Sequence, residues 1–443
     1  MKTIVTRSLL ALLAAGLLAG PGLAASSPPP VPDELDLETA IGFALENNFS
    51  IRQARERIRE QEGVLITVKA SAIPNVSASG TYQFNEQEIS TGAPPSKRGW
   101  NLSLTASQLL FAGGGVRSAI RSSELVREAA LLDLQGAINS ALLNVRVAFY
   151  NVLLARDKII VQEENLRLLE QQFKTTSDRF EAGTVSGFER LRAEVAVANA
   201  RAPLITARNN LRLGIEALRQ ALGFTTSQAD ARKVPDFVGT LEFVPQTFDM
   251  DAAFASARAN RPELQRLAKL ADASEESITT ARANYYPNVA LVGGYQLRKG
   301  PSDRFGDSRD GLFVGVQSDW SIFDGRATAG RVRQARSRAE QTRLTFEEVE
   351  LATEVEVRRA FSQWQEATEL VEASSRVVGQ AEEAVRLANA RYNAGTSTQL
   401  DLLQAQVELT TARSNQVQAY YNYNVATASL RYAMGLTDAL VSQ

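Results

Sequence analysis

Residues 179–184 read Arg179-Phe180-Glu181-Ala182-Gly183-Thr184, and residues 391–396 read Arg391-Tyr392-Asn393-Ala394-Gly395-Thr396. The interval is 391 − 179 = 212 residues. The same interval relates Phe111 to Phe323, Ala148-Phe149 to Ala360-Phe361, Leu191 to Leu403, Leu218 to Leu430 and Gly223 to Gly435. Nearer the start of each copy it becomes 287 − 74 = 213, pairing Pro74-Asn75-Val76 with Pro287-Asn288-Val289. A register kept over so long a span marks an internal duplication.

The hexapeptide is a helix end. Glycine just past the last turn is the residue expected where the chain turns with positive φ, so Gly183 and Gly395 form the tip turns. Ser186…Glu189 and Thr398…Asp401 then fit a Ser/Thr-x-x-acid capping box that opens the next helix. Upstream, residues 117–181 hold no proline and one glycine, Gly136. A helix of that extent is on the order of 95 Å long, too long for one compact globule. Val145, Val152, Ile159, Leu166, Phe173 and Phe180 recur every seven residues. Val357, Trp364, Val371, Val378, Val385 and Tyr392 do so in the second copy. A sustained heptad packs helices side by side with a left-handed supercoil. Each repeat is therefore predicted to end in an antiparallel helix pair whose tip lies far from its strands.

Before the long helix the periodicity is two. A helical stretch, Leu37–Ala72, ends at Pro74, which cannot continue the hydrogen-bond ladder. Val76, Ala78, Gly80, Tyr82 and Phe84 then alternate with Ser77, Ser79, Thr81 and Gln83. After a polar loop, Asn85–Gly99, a second strand carries Leu102, Leu104 and Ala106 on one face. The second copy repeats this with Val289 to Leu297, a loop Lys299–Gly311, and Leu312, Val314 and Val316. One apolar and one polar face, with about the 9–11 residues of a tilted spanning strand, suits either a membrane β-barrel or a soluble hairpin. Trp100 and Trp320 stand near strand ends, where aromatic girdles belong. The glycines of Leu110-Phe111-Ala112-Gly113-Gly114-Gly115 and of Ile322-Phe323-Asp324-Gly325 join strand to helix. They lack the Gly-Lys-Ser/Thr ending of a phosphate loop and read as sharp turns with positive φ.

Composition narrows the function. The chain has 443 residues, no Cys and no His, and a formal net charge of −2. No disulfide, thiolate nucleophile or histidine base is possible, and no basic face points to nucleic acid. Adjacent acids such as Glu347-Glu348 and Glu382-Glu383 fall on helix patterns and read as solvated faces. No enzyme, cofactor or metal site is expected. Lys2 and Arg7, the apolar run Ser8–Leu18 and Gly22-Leu23-Ala24 read as a signal peptide over 1–24. No later segment reads as a spanning helix. The expected organisation continues with an N-terminal segment 25–36, a first repeat 37–223 and a linker 224–248. A second repeat 249–435 and a tail 436–443 complete it.

Four strands cannot close a barrel, and lipid does not tolerate open sheet edges. Several chains must contribute: two give eight strands, three give twelve. The duplicated order of strand pair and long helix, and the Arg-Tyr/Phe-x-x-Gly turn followed by Asp401-Leu402-Leu403-x-Ala405, resemble the TolC-like outer-membrane efflux family over nearly the whole mature chain. The resemblance implies a mainly α fold with a transmembrane β-barrel part. A homotrimer would form a 12-stranded barrel continued by a 12-helix periplasmic α-barrel, closed like an iris at its tips. It implies outer-membrane lipid as surroundings. A periplasmic adaptor and an inner-membrane pump or ABC exporter are the implied partners. The function it implies is a passive exit duct for efflux or type I secretion.

It also gives Tyr392 the place of a gating tyrosine, Glu189 that of its carboxylate partner on the neighbouring helix pair, and Asp401 that of an entrance aspartate. The sequence departs from the family pattern at Ser397, where a latch arginine is expected, and at Gln404, where a second entrance aspartate is expected. Helix capping accounts for Glu189 and Asp401 equally, and heptad packing for Tyr392. The competing functions are a stand-alone porin, which has no use for the long helices, and a secreted coiled-coil scaffold, which has no use for matched strand pairs.

Overall fold

The computed structural model describes residues 33–84, 98–224, 235–300, 304–438 and 440. The expected signal peptide lies outside the described residues, as does most of the Asn85–Gly99 loop. The chain divides into two units. The smaller, residues 1–35 and 225–236, contains β1 (Glu34–Leu35) and Asp236, whose N–H donates to the Asp33 carbonyl at 2.8 Å.

The larger unit begins with α1 (Leu37–Asn47), α2 (Phe49–Ala70), β2 (Asn75–Phe84) and β3 (Arg98–Ala112). The long α3 (Gly115–Glu181) and the returning α4 (Gly187–Leu222) follow. After β4 (Asp236–Phe237) the order repeats as α5 (Met250–Asn260), α6 (Pro262–Arg282), β5 (Asn288–Lys299) and β6 (Ser308–Asp319). It ends with α7 (Ala327–Asn393) and α8 (Gln399–Ala433).

The first helical stretch is two helices, not the single Leu37–Ala72 expected. Asn48 leaves the helix at ψ 129°, and its side chain accepts from the N–H groups of Ser50 (2.9 Å) and Ile51 (3.3 Å). An asparagine with a free N-cap to fill ends one helix and starts the next. In the second copy Pro262 does the same work: it holds Arg261 extended and takes the first helical position of α6.

Helices α3 and α7 have 67 residues each, roughly 100 Å at 1.5 Å per residue. α4 packs along α3, and α8 packs along both α7 and α3. Of the heptad positions, Val145, Val152, Val357 and Val371 are fully buried, while Ile159, Leu166 and Phe173 are half-buried. The mid-helix core is widened by the linker: Phe243 meets Tyr423 edge-on at 4.6 Å and Phe248 meets Trp364 at 5.2 Å. The Tyr423 hydroxyl donates to the Val244 carbonyl at 2.7 Å. Contrary to expectation, one stretch of α3 is long and apolar enough to cross a membrane. Of that stretch 39% is buried, and α3 as a whole packs against α2, α4, α6 and α8.

The four long strands form one antiparallel sheet in the order β2-β3-β5-β6. Its register aligns the apolar residues across all strands. Gly80 pairs with Leu102, Leu102 with Leu297, Leu104 with Tyr295, and Tyr295 with Leu312. The opposite face pairs Ser79 with Ser103, whose hydroxyls lie 2.7 Å apart, and Gln296 donates to Asn101 at 2.9 Å. β5 and β6 extend further than expected, shortening the Lys299–Gly311 loop. Strand meets helix at Gly113 (φ 56°) and Gly114 (φ 81°), and in the second copy at Gly325 (φ 63°) and Arg326 (φ 72°). A Cβ on Gly113 would lie 2.7 Å from the Ala283 carbonyl oxygen, so this joint needs glycine for space as well as for φ.

Candidate functional site

The two tip turns share one backbone geometry. Gly183 and Gly395 both have φ 73°. The Thr184 N–H donates to the Arg179 carbonyl and the Thr396 N–H to the Arg391 carbonyl, each at 2.9 Å. The Gly183 and Gly395 N–H groups donate to the carbonyls of Phe180 and Tyr392, at 2.9 and 3.1 Å. This double closure satisfies the last carbonyls of the long helix. No atom lies where a Cβ on either glycine would go, so positive φ alone selects glycine there.

The helices that follow are capped unequally. Thr398 and Asp401 form the full box: the Asp401 N–H donates to Thr398 Oγ1 at 3.3 Å and the Thr398 N–H to Asp401 Oδ2 at 2.8 Å. Hydrogen bonds from the Thr398 backbone and hydroxyl hold the Asp401 carboxyl below its ordinary pKa. At the other tip the Glu189 N–H donates to Ser186 Oγ at 3.3 Å, but the carboxylate does not return the bond.

The tips also differ in their aromatic residue. Tyr392 is 8% exposed, whereas its counterpart Phe180 is 39% exposed. The Arg179 guanidinium lies over the Tyr392 ring, 5.1 Å from its centre, and donates to Asn393 Oδ1 at 3.2 Å. One arginine on α3 thus ties the first tip to the second. Deeper in, Gln399 Nε2 donates to Thr176 Oγ1 at 3.3 Å, joining α8 to α3.

The Tyr392 hydroxyl is buried without a hydrogen-bond partner. Tyr392 and Glu189 therefore do not bond to each other within one chain. Ser397 is half-buried with its hydroxyl also unpartnered, and Gln404 donates to Glu408 at 3.2 Å. Sequence reasoning missed Arg179 as a contact residue. The available signal was the arginine that opens both hexapeptides, coupled with the change from Phe180 to Tyr392. Among the described residues no group of three or more His, Cys, Asp or Glu side chains could hold a metal ion. The contacts of Arg179 and Gln399 hold the ends of the two helix pairs together.

The profile of the family described as outer membrane efflux protein matches residues 40–224 and 253–436. Alkaline protease secretion protein AprF of Pseudomonas aeruginosa is 26% identical over 316 residues, 71% of this chain and 65% of AprF. Outer membrane protein TolC of Escherichia coli is 25% identical over 305 residues, 66% of this chain and 61% of TolC. Each of these matches spans less than two thirds of the relative's length. The crystal structure of the Campylobacter jejuni CmeC outer membrane channel superposes with a TM-score of 0.78 at 16% identity, covering 90% of this chain and 85% of that one.

Proposed function

This chain belongs to the outer membrane efflux protein family, and from that premise we propose that it is the exit duct of a tripartite efflux or type I secretion system. The family is one of outer-membrane channels that extend into the periplasm, not of enzymes. In the proposed assembly three chains close a 12-stranded barrel, and their long helices continue it as a 12-helix conduit. The repeats 37–223 and 249–435 are its building units. A periplasmic adaptor docks on the tips, and an inner-membrane pump or ABC exporter supplies the energy. AprF's name, that of a protease secretion protein, supports protein export as one cargo class.

The observation that carries this reading is the sheet. Its apolar face runs across all four strands and includes Leu102, Leu104, Leu312 and Val314, all exposed, while β2 and β6 are edges without partners in the described chain. A 12-residue strand tilted by about 40° spans roughly 30 Å, the thickness of a hydrocarbon core. Aromatic residues stand at both ends of that band: Tyr82, Phe84 and Trp100 at one, Tyr285, Tyr286 and Trp320 at the other. A stand-alone scaffold gains nothing from an exposed apolar sheet attached to paired 67-residue helices.

The gate is proposed at the tips, where Tyr392, Glu189 and Asp401 line the closed end and Arg179 secures Tyr392. The Tyr392 hydroxyl is buried and unpartnered in the single chain, so pairing with Glu189 of a neighbouring helix pair requires the tyrosine side chain to turn outward in the assembly, and the adaptor then separates the two. The test of the duct is reconstitution of the purified protein in a planar bilayer. Discrete, uniform conductance steps are expected. A correctly assembled protein that never conducts, even with Tyr392→Phe and Glu189→Ala together, would refute it.

A further inference from the structure

The 212- and 213-residue intervals also relate the two joints where strand passes into long helix. In the first repeat Lys69, near the end of α2, pairs with Glu124 of α3, Nζ to Oε1 at 3.0 Å. The corresponding positions of the second repeat are Arg282, the last residue of α6, and Arg336 of α7. An ion pair in one copy is therefore two cations in the other. The stretch around it changes in the same direction. Residues 113–127 hold three arginines and one glutamate, whereas residues 325–339 hold five arginines and no acid.

Arg282 and Arg336 line one open cleft of about 490 Å³, with Arg333, Tyr285 and Tyr286. Among the described residues no acid lines it and no carboxylate pairs with any of the three arginines. Further along α7 the pattern is ordinary, with Arg343 paired to both Glu340 and Glu347. Like charges gathered in a cleft repel unless an anion sits between them, and guanidinium forks match phosphate oxygens. The Trp320 indole N–H donates to the Tyr285 carbonyl at 3.1 Å, so the cleft stands at the level of the aromatic residues that end the apolar band. In the same joint Ile322 and Phe323 are 83% and 84% exposed. The first joint is flanked within the chain on both sides, by β2 and β5 and by α2 and α6. Leu110 and Phe111 there are still 58% and 47% exposed, and its own cleft stays open beside Arg117, Arg121 and Glu124. Flanking elements do not close such a joint.

We infer that Arg282, Arg333 and Arg336 hold the phosphodiester of an anionic phospholipid from the leaflet on the helix side of the membrane, its acyl chains lying along the exposed apolar residues of the joint and sheet. A free phosphate would satisfy the arginines and leave Ile322 and Phe323 to water. A phospholipid satisfies both. The site occurs once per chain, because the Lys69–Glu124 pair fills its counterpart. The inference rests on the membrane-barrel reading above and adds which lipid class is held and by which residues.

The test titrates delipidated protein in detergent with phosphatidylglycerol, phosphatidylcholine or inorganic phosphate, and counts bound lipid by native mass spectrometry. Phosphatidylglycerol is expected to add one tightly held molecule per chain that phosphatidylcholine does not. Arg282→Gln/Arg336→Gln is expected to weaken that binding about thirty-fold, the effect of removing two arginines near a membrane surface. Arg336→Glu rebuilds the ion pair of the first repeat. It is expected to abolish the selectivity while raising the thermal midpoint of the lipid-free protein, which separates loss of the site from loss of the fold. Arg343→Gln, a charge already paired, is expected to bind as the parent does. A trimer by light scattering that binds phosphatidylglycerol no better than phosphatidylcholine, or whose Arg336→Glu variant binds it undiminished, would overturn the site but keep the duct. Inorganic phosphate that raises the thermal midpoint as much as phosphatidylglycerol at equal concentration would overturn the lipid as occupant. A protein that remains a monomer in detergent would overturn the site and the duct together.

Discussion

At the residue scale the tips are governed by a few side chains whose roles differ between the copies. Arg179 over Tyr392 contributes a cation–π contact and one hydrogen bond to Asn393, together about 1–2 kcal/mol. Arg179→Ala is expected to raise the open probability of single channels about five- to thirty-fold, and Arg179→Lys less, since an ammonium cannot keep both contacts. Unchanged gating in both variants would remove Arg179 from the proposed gate. Asp401 makes a pH-dependent contribution. Its carboxyl pKa is lowered by the hydrogen bonds from Thr398. The cap is therefore complete above the unfolded value, about pH 4, and is lost as pH falls through the lower folded value. Amide exchange in the first turn of α8, corrected for intrinsic rate, is expected to accelerate only below about pH 4. In Thr398→Ala it is expected to be about five-fold faster at neutral pH, the effect of losing roughly 1 kcal/mol of capping. The capping pattern at 398–401 was legible in the sequence because capping is local chemistry. The Arg179–Tyr392 contact was not, since it joins residues more than two hundred positions apart and no local rule pairs them.

At the element scale the joints decide where helices and strands meet. Gly113 has positive φ and no room for a Cβ beside Ala283 and Tyr286, whereas Gly183 has positive φ and open space. A left-handed conformation costs an ordinary residue about 1–2 kcal/mol. Gly183→Ala should lower stability by about that amount, and Gly113→Ala by more because the clash adds to it. The thermal midpoints of the two detergent-solubilised variants check the order. The end of α8 is fixed by another contact: Arg146 Nη2 donates to Asp438 Oδ1 at 2.6 Å, with little of either side chain exposed. Burial opposes the Arg146 charge most strongly, but hydrogen bonding to and the charges of Asp438 and Tyr150 together outweigh it, raising the guanidinium pKa. Asp438→Ala leaves that charge without its carboxylate and is expected to cost about 3 kcal/mol in denaturant unfolding. Helix lengths and strand faces followed from periods of seven and two in the residues themselves. The break at Asn48 was missed because the apolar periodicity of Leu37–Ala72 masked a single N-cap residue. The apolar stretch of α3 was missed because its length was judged by runs rather than by its mean.

At the scale of the whole molecule, duplication explains both what one chain completes and what it leaves open. Among the described residues the sheet has two edges and an apolar face that water does not favour. Closing these surfaces needs further copies, and the strand arithmetic gives twelve strands for three. The number of copies was not legible in the residues, since eight and twelve strands satisfy the same local rules. The central claim is that three chains make one membrane-embedded conduit. The most direct test is light scattering coupled to size exclusion on protein extracted from outer membranes in detergent. The account predicts a detergent-corrected mass of three mature chains. A monomer that leaves the cell envelope without detergent would contradict it.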